Sequence, residues 1–239
     1  MTDLFIPDQP FHDDFLSGAS GHIAMASQAR YCEIRFDRTR YHDALYRQYA
    51  IDYPQNIRQA VVKRKAEYLA ARYGCALLLR EAGAPHTRVA SGANRQPLWP
   101  PGFCGAITHS KDRALVVIAP LSAGLYPGVD IEFCAPQTLE TIAQEITTPQ
   151  ELRYLKQGPG GPEMALLLAF SAKESLFKSL WPQVGRFLNF TSASVVAIAP
   201  QRREFTLQLN EALSAALPAG RCFYGHYRQD DSAITTLIL

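Results

Sequence analysis

No two cysteines of this sequence stand in a CxxC pair. The five (Cys32, Cys75, Cys104, Cys134 and Cys222) are odd in number and widely spaced. That argues against a disulfide framework or a zinc site, and for free, mostly buried thiols in a reducing compartment. A long apolar run is missing as well. The best candidate, residues 114–129, is interrupted by Pro120 and Pro127, so no membrane span is expected. The first residues, Met1-Thr2-Asp3-Leu4, bring an acid too early for a signal peptide, and a cytoplasmic protein is expected. Charge of one sign is not in excess either. Lys and Arg total 24 against 22 Asp and Glu, a net +2, which gives no bulk attraction to nucleic acid. The Gly158–Pro162 run has neither a Walker lysine nor GxGxxG spacing and reads as a loop. HExxH, EF-hand and Ser/His/Asp patterns are absent, and no internal repeat stands out.

What is present belongs to an ordinary globular chain: 239 residues, 47% apolar and 19% charged, enough for one large core or two closely packed halves. The basic residues are unevenly spread. Arg58, Lys63, Arg64, Lys65, Arg72 and Arg80 crowd one stretch with Glu67 as the single acid before Glu81. Apolar positions recur there at helical spacing, which predicts a helix over about 56–82, ended by Gly83 and Pro85. The first twenty residues, rich in Pro, Asp and Phe, read as a surface arm. Alternation predicts a strand at Tyr31–Phe36, and β-branched apolar runs predict strands at Ala114–Ala119 and Val129–Phe133. Two short helices are expected at Thr138–Ile146 and Pro149–Gln157, with Thr148 as a cap. A long helix is expected at Glu163–Leu180, with Pro182 just beyond its end. Four strands follow: Ser194–Ala199, Glu204–Leu209, Cys222–Arg228 and Ala233–Leu239.

Two motifs carry chemistry. In Gly128-Val129-Asp130-Ile131-Glu132, residues two apart on a strand share a face, so Asp130 and Glu132 project together while Ile131 turns to a core. In Phe170-Ser171-Ala172-Lys173-Glu174-Ser175-Leu176-Phe177-Lys178, Glu174 and Lys178 lie one helical turn apart. Three carboxylates meeting in one place repel unless a cation joins them, and hard oxygen donors suit Mg²⁺ held partly by substrate phosphates. Mn²⁺ would accept the same donors. The bland alternative is a solvated helix face with an ion pair worth about 0.3–0.5 kcal/mol. Against it stand Leu166, Leu167, Leu168, Phe170, Leu176, Phe177 and Leu180 around the charges, since a buried helix needs partners for its charges. His109, between Thr108 and Ser110, is placed to donate to a phosphate or to serve structure alone. Arg64 and Arg72, eight apart, lie near one helix face, as a solvated stripe or as a grip on a phosphate.

The segments Arg64–Arg72, Arg95-Gln96-Pro97-Leu98-Trp99-Pro100, Ile107-Thr108-His109-Ser110, Gly128–Glu132 and Phe170–Ser175 with Lys178 occur in the order seen in 4′-phosphopantetheinyl transferases. The chain resembles the Sfp-type class, in the enterobactin-synthase-component branch, over roughly residues 31–200. Phe170 stands where the family usually has Trp. The resemblance implies an α+β fold of two similar α/β halves related by a pseudo-twofold, here 1–125 and 126–239, with coenzyme A in the cleft between them. It implies a monomer that moves the phosphopantetheine arm of coenzyme A onto a serine of an apo carrier protein, releasing adenosine 3′,5′-bisphosphate. The carrier would belong to peptide, siderophore, polyketide or fatty-acid assembly.

In that reading Asp130, Glu132 and Glu174 hold the metal, and Lys178 stabilises the leaving oxygen. His109 donates to a phosphate, with Thr108, Asp130 and Lys173 also at the cofactor. Arg64, Arg72 and Arg95 hold the adenosine end. Glu174 or Glu132 takes the serine proton, directly or through water. A metal-dependent phosphodiesterase or pyrophosphatase, and a non-catalytic coenzyme A or carrier-binding module, are the competing readings.

Overall fold

The computed structural model describes residues 3–133, 136–158, 160–230 and 233–239, and of residues 136–140 the backbone alone. The fold is α+β, and the chain divides into two compact units, Met1–Pro127 and Gly128–Leu239. No helix among the described residues is long and apolar enough to cross a membrane.

The first unit opens with β1 (Phe5–His12), β2 (Leu16–Ile23) and β3 (Ala26–Phe36). The short helices α1 (Leu45–Gln48) and α2 (Gln55–Arg58) lead into the long α3 (Val62–Glu81). A two-stranded ribbon follows, β4 (Ala90–Ser91) with β5 (Pro97–Leu98), and then the hairpin β6 (Phe103–Ser110) and β7 (Arg113–Pro120). The main sheet is antiparallel in the order β1-β2-β3-β7-β6. Helix α3 packs Leu69, Cys75 and Leu78 against Ile34, Val116 and Ile118. The core strand β7 has residues 113–119 all buried, as its unbroken apolar run requires.

Two expectations fail in this unit. The first twenty residues are not an arm but a hairpin. Strand β1 is the sheet edge and mostly exposed beyond Phe5, with an irregularity between Pro7 and Gln9. An edge strand tolerates proline because its outer N–H groups pair with nothing, and those prolines hide its alternation. The helix expected over 56–82 is broken. Val61 is extended (φ −67°, ψ 155°) and separates α2 from α3, while Val61 and Val62 are 73% and 52% exposed. Val61, β-branched and exposed, takes the extended backbone that such side chains favour, and the helix restarts at Val62.

The second unit begins with β8 (Gly128–Phe133), followed by α4 (Pro136–Ile146), α5 (Pro149–Lys156) and α6 (Pro162–Val184). Strands β9 (Ala193–Ala199), β10 (Glu204–Leu209), β11 (Cys222–Gln229) and β12 (Ala233–Ile238) complete it. Its sheet is antiparallel in the order β8-β12-β11-β10-β9. Leu168, Leu176 and Leu180 of α6 pack against Val195, Phe205, Leu207 and Ile234. Thr148 caps α5 as expected, in a reciprocal box with Glu151. Helix α6 runs past its expected end: Pro182 lies inside it, and Gly185, left-handed at φ 65°, closes it. A proline in the last turn removes one hydrogen bond without stopping the coil.

Cys32, Cys75, Cys104 and Cys222 are free thiols, the first three buried. Burial pushes the Cys75 thiol up to about 12, so it stays protonated and unreactive. Cys134 lies outside the described residues.

Candidate active site

The acid cluster is built where β8 crosses α6. Strand β8 pairs with β12, placing Asp130 opposite Thr236 and Glu132 opposite Ile234. Gly128, on the same side as Asp130 and Glu132, is the close-approach point. A Cβ there would stand 1.9 Å from the Ser175 carbonyl oxygen and 2.8 Å from the Ser179 nitrogen. Only glycine lets the α6 backbone come this near the strand, and the approach brings Lys178 within reach of Asp130. Lys178 Nζ donates to Asp130 Oδ1 at 2.6 Å and to the Val129 carbonyl at 3.1 Å. Ser171 Oγ donates to Asp130 Oδ2 at 2.9 Å.

Glu132 and Glu174 join this pair through charge. Burial first, then the Asp130 charge, pushes the Glu132 carboxyl up to about 7. Lys178 opposes the rise and Glu174 adds to it. Burial also raises Glu174, with Lys178 opposing and Asp130 adding. Three acids thus share one ammonium in a poorly solvated place.

Their donor type and charge fit a hard cation such as Mg²⁺. Their arrangement is more open than expected. Among the described residues no group of three or more His, Cys, Asp or Glu side chains is gathered closely enough to hold a metal ion. Both Asp130 oxygens already accept hydrogen bonds, from Lys178 and Ser171.

Lys173 is corrected outright. Its side chain is 0% exposed, and its Nζ donates to Glu151 Oε2 at 2.7 Å and to the Ile146 carbonyl at 2.6 Å. No cofactor phosphate reaches an ammonium enclosed in this way. One residue along a helix turns the side chain by about 100°, so Lys173 and Glu174 face different surroundings. Glu151, which the sequence reading passed over, also accepts from the Val195 N–H at 2.7 Å.

Three basic residues of the first unit, Arg64, Arg88 and Arg95, line a pocket of about 610 Å³ together with Tyr68 and Ser91 among others. Arg95 is left-handed (φ 64°) in the turn joining β4 to β5, a conformation that costs a non-glycine residue energy. Arg72 lies behind the wall. It stacks its guanidinium 4.5 Å from the Tyr68 ring centroid and donates to Ser91 Oγ at 2.9 Å. Its Nε is buried without a hydrogen-bond partner among the described residues. Arg88, which the sequence reading passed over, reaches the pocket and pairs with Asp52.

His109 sits near the end of β6. Its Nε2 lies 2.8 Å from Arg64 Nη1 and its Nδ1 3.6 Å from Glu67 Oε2. Because a guanidinium only donates, Nε2 accepts, and the ring carries its hydrogen on Nδ1, toward Glu67. Burial raises the Glu67 carboxyl, with Lys63 and Arg64 opposing. Thr108 alternates to the other side of the strand and is buried, so it does not share a face with His109.

Comparison with known proteins bears on both units. Residues 52–119 match the family model described as 4′-phosphopantetheinyl transferase N-terminal domain, and residues 126–227 match the 4′-phosphopantetheinyl transferase superfamily. Enterobactin synthase component D of Salmonella typhimurium is 35% identical over 200 residues, 83% of this chain and 80% of that protein. The 4′-phosphopantetheinyl transferase Npt of Nocardia iowensis is 28% identical, covering 61% of this chain and 69% of its own length. For 4′-phosphopantetheinyl transferase Svp of Streptomyces mobaraensis the figures are 30%, 64% and 63%.

Proposed function

From a chain that belongs to the 4′-phosphopantetheinyl transferase family, we propose a specific reaction: transfer of the 4′-phosphopantetheine arm of coenzyme A to a serine of an apo carrier protein, with adenosine 3′,5′-bisphosphate leaving. The carriers are those of siderophore and nonribosomal peptide assembly, the first in line with the name enterobactin synthase component D that several relatives carry, with polyketide and fatty-acid carriers chemically equivalent. The enzyme acts as a monomer in the cytoplasm and takes no nucleic acid.

The observation that supports this reading best is the meeting of Asp130 and Lys178 beside Glu132 and Glu174, both raised first by burial. The serine oxygen forms a bond to the β-phosphorus of coenzyme A, the bridging P–O bond breaks, and the serine proton goes to a carboxylate. A general base works best when its pKa lies near the operating pH, which suits Glu132, and Glu174 has the same bias. Asp130, Glu132 and Glu174 are the residues that would hold Mg²⁺ or Mn²⁺, whose Lewis acidity would stabilise the pyrophosphate charge. Lys178 brings a positive charge to the leaving oxygen. Arg64, Arg72 and Arg95 bind the adenosine end with its 3′-phosphate, and His109, its ring N–H facing Glu67, steadies the Arg64 guanidinium through Nε2.

The test is mass spectrometry of an apo carrier protein incubated with this chain, coenzyme A and Mg²⁺. The expected result is a mass gain of one phosphopantetheine, lost on chelation and in Glu174→Ala. No gain on any carrier would overturn the reading. Phosphate-containing fragments released without a carrier would point to a pyrophosphatase. Coenzyme A binding that ignores chelator, with no mass gain, would point to a binding module.

A further inference from the structure

Behind Asp130 lies a feature that the reaction does not itself require. Ser171 Oγ, which donates to Asp130 Oδ2, is also 2.9 Å from Thr236 Oγ1. Thr236 Oγ1 is 2.7 Å from Ser175 Oγ and 2.9 Å from the Ser171 carbonyl. Ser175 Oγ in turn lies 3.1 Å from the Thr236 carbonyl. All three residues are 0% exposed.

The placement follows from the fold. Ser171 and Ser175 are one turn apart on α6, and Thr236 is the β12 residue directly opposite Asp130. Helical serines commonly bond back to their own helix carbonyls. These two instead turn outward to the strands. Each hydroxyl has one proton, and the carboxylate, which only accepts, takes that of Ser171. Thr236 gives its own to the Ser171 carbonyl, and Ser175 Oγ lies against both the Thr236 hydroxyl and its carbonyl. A buried network satisfied in this way holds its members in place. Among the described residues Asp130 is the acid of the three that accepts from a hydroxyl, that of Ser171.

We propose that Ser171 is a positioning residue: by holding Oδ2 it fixes the angle of the Asp130 carboxylate, whose Oδ1 is paired with Lys178, and so sets how the acid cluster meets a cation, while Thr236 and Ser175 hold Ser171 in turn. The proposal rests on the transferase reading for the identity of that cation. Partners that orient a metal-binding group commonly matter about 10- to 100-fold in metal affinity.

The experiment is Mn²⁺ titration followed by electron paramagnetic resonance in the presence of coenzyme A, together with steady-state kinetics and thermal melts. Ser171→Ala should weaken Mn²⁺ binding by about 10-fold or more and lower kcat, with KM for coenzyme A unchanged. Ser175→Ala also deletes one buried hydroxyl but leaves the Ser171 to Asp130 bond. It should lose comparable thermal stability and little Mn²⁺ affinity. Thr236→Val, which keeps the shape, should fall between them and stands in for Ser171→Ala if that variant does not fold. Wild-type Mn²⁺ affinity in a folded Ser171→Ala, or in Thr236→Val where Ser171→Ala does not fold, overturns the positioning role alone. Equal weakening in Ser171→Ala and Ser175→Ala overturns it too, since that pattern means general loosening. Absence of Mn²⁺ binding by the wild-type protein overturns the metal reading itself, and the positioning role with it.

Discussion

Helix α6 carries two lysines five residues apart, each bonded to one carboxylate, and they do opposite things. Lys173 meets Glu151 at 2.7 Å with both side chains 0% exposed. Lys178 meets Asp130 at 2.6 Å with 27% and 4% of the side chains exposed. Distance does not separate the two pairs. Balance and access do. Around Lys173 one ammonium faces one carboxylate, and Glu151 spends its remaining capacity on the Thr148 and Val195 N–H groups. Everything is matched, and the pair ties α5, α6 and β9 together. Around Lys178 one ammonium faces Asp130, Glu132 and Glu174, burial first and the Asp130 charge after it push up the latter two, and the Lys178 side chain is 27% exposed. A matched, sealed pair is architecture, whereas an unmatched, accessible one is a place for a ligand's positive charge.

The strongest break of this comparison is to neutralise each lysine in turn. Lys178→Met should lower kcat for transfer by about 100-fold or more, the usual loss when one stabiliser of developing charge is removed. Lys173→Met should leave transfer per folded molecule intact but cost about 3–5 kcal/mol of stability, because Glu151 is then buried without its counter-ion. Urea unfolding and a carrier-loading assay on the same two proteins measure both. If the two variants rank alike in both assays, the distinction between the pairs is wrong. Adding Glu151→Gln to Lys173→Met should return part of the lost stability, since a neutral amide oxygen still accepts the Val195 N–H.

Part of this contrast was legible in the sequence. Lys173 stands seven residues after Leu166, four after Ala169, three before Leu176 and seven before Leu180, and all four are buried. Those spacings put it on the core face of the helix, whereas Glu174 and Lys178 share a different one. The Thr148 cap and the four C-terminal strands were equally readable from local signals. The partner of Lys173 was not, since Glu151 is brought to it by the packing of α5. Nor was the Ser171–Thr236 contact, which depends on the register of β12 against β8, or the β1 hairpin, whose prolines mask its alternation. Local chemistry announces itself in a sequence, but register and helix packing appear only when the elements meet.

A weaker effect carries the contrast into the first unit. Arg64 has 39% of its side chain exposed at the pocket, whereas Arg72 is buried on Tyr68 and Ser91. Contact with a remote phosphate is mostly uniform binding. Arg72→Ala should therefore raise KM for coenzyme A about tenfold and change kcat less. An unchanged KM would mark Arg72 as the Lys173 of its own unit, a wall residue and no ligand contact.

The smallest effect is one of pH, and it tests the burial of Glu132 beside the Asp130 charge. The Glu132 carboxyl rises from an ordinary 4.5 to about 7 in the folded protein. Between those values the native state holds a proton that the unfolded chain has released. The stability from this group is present below about pH 4.5 and is lost as pH rises through 7. Wild-type protein should lose roughly a few degrees of melting temperature from this source between pH 5 and pH 8. Glu132→Gln, with nothing to titrate, should show a flatter profile. Mg²⁺ should stabilise the wild-type protein more at pH 8 than at pH 5, because only the ionised cluster gains from a cation. Parallel melting profiles for the two proteins would mean that Lys178 alone balances the acids, and the second unit would then lose the imbalance that sets it apart from the Lys173 pair.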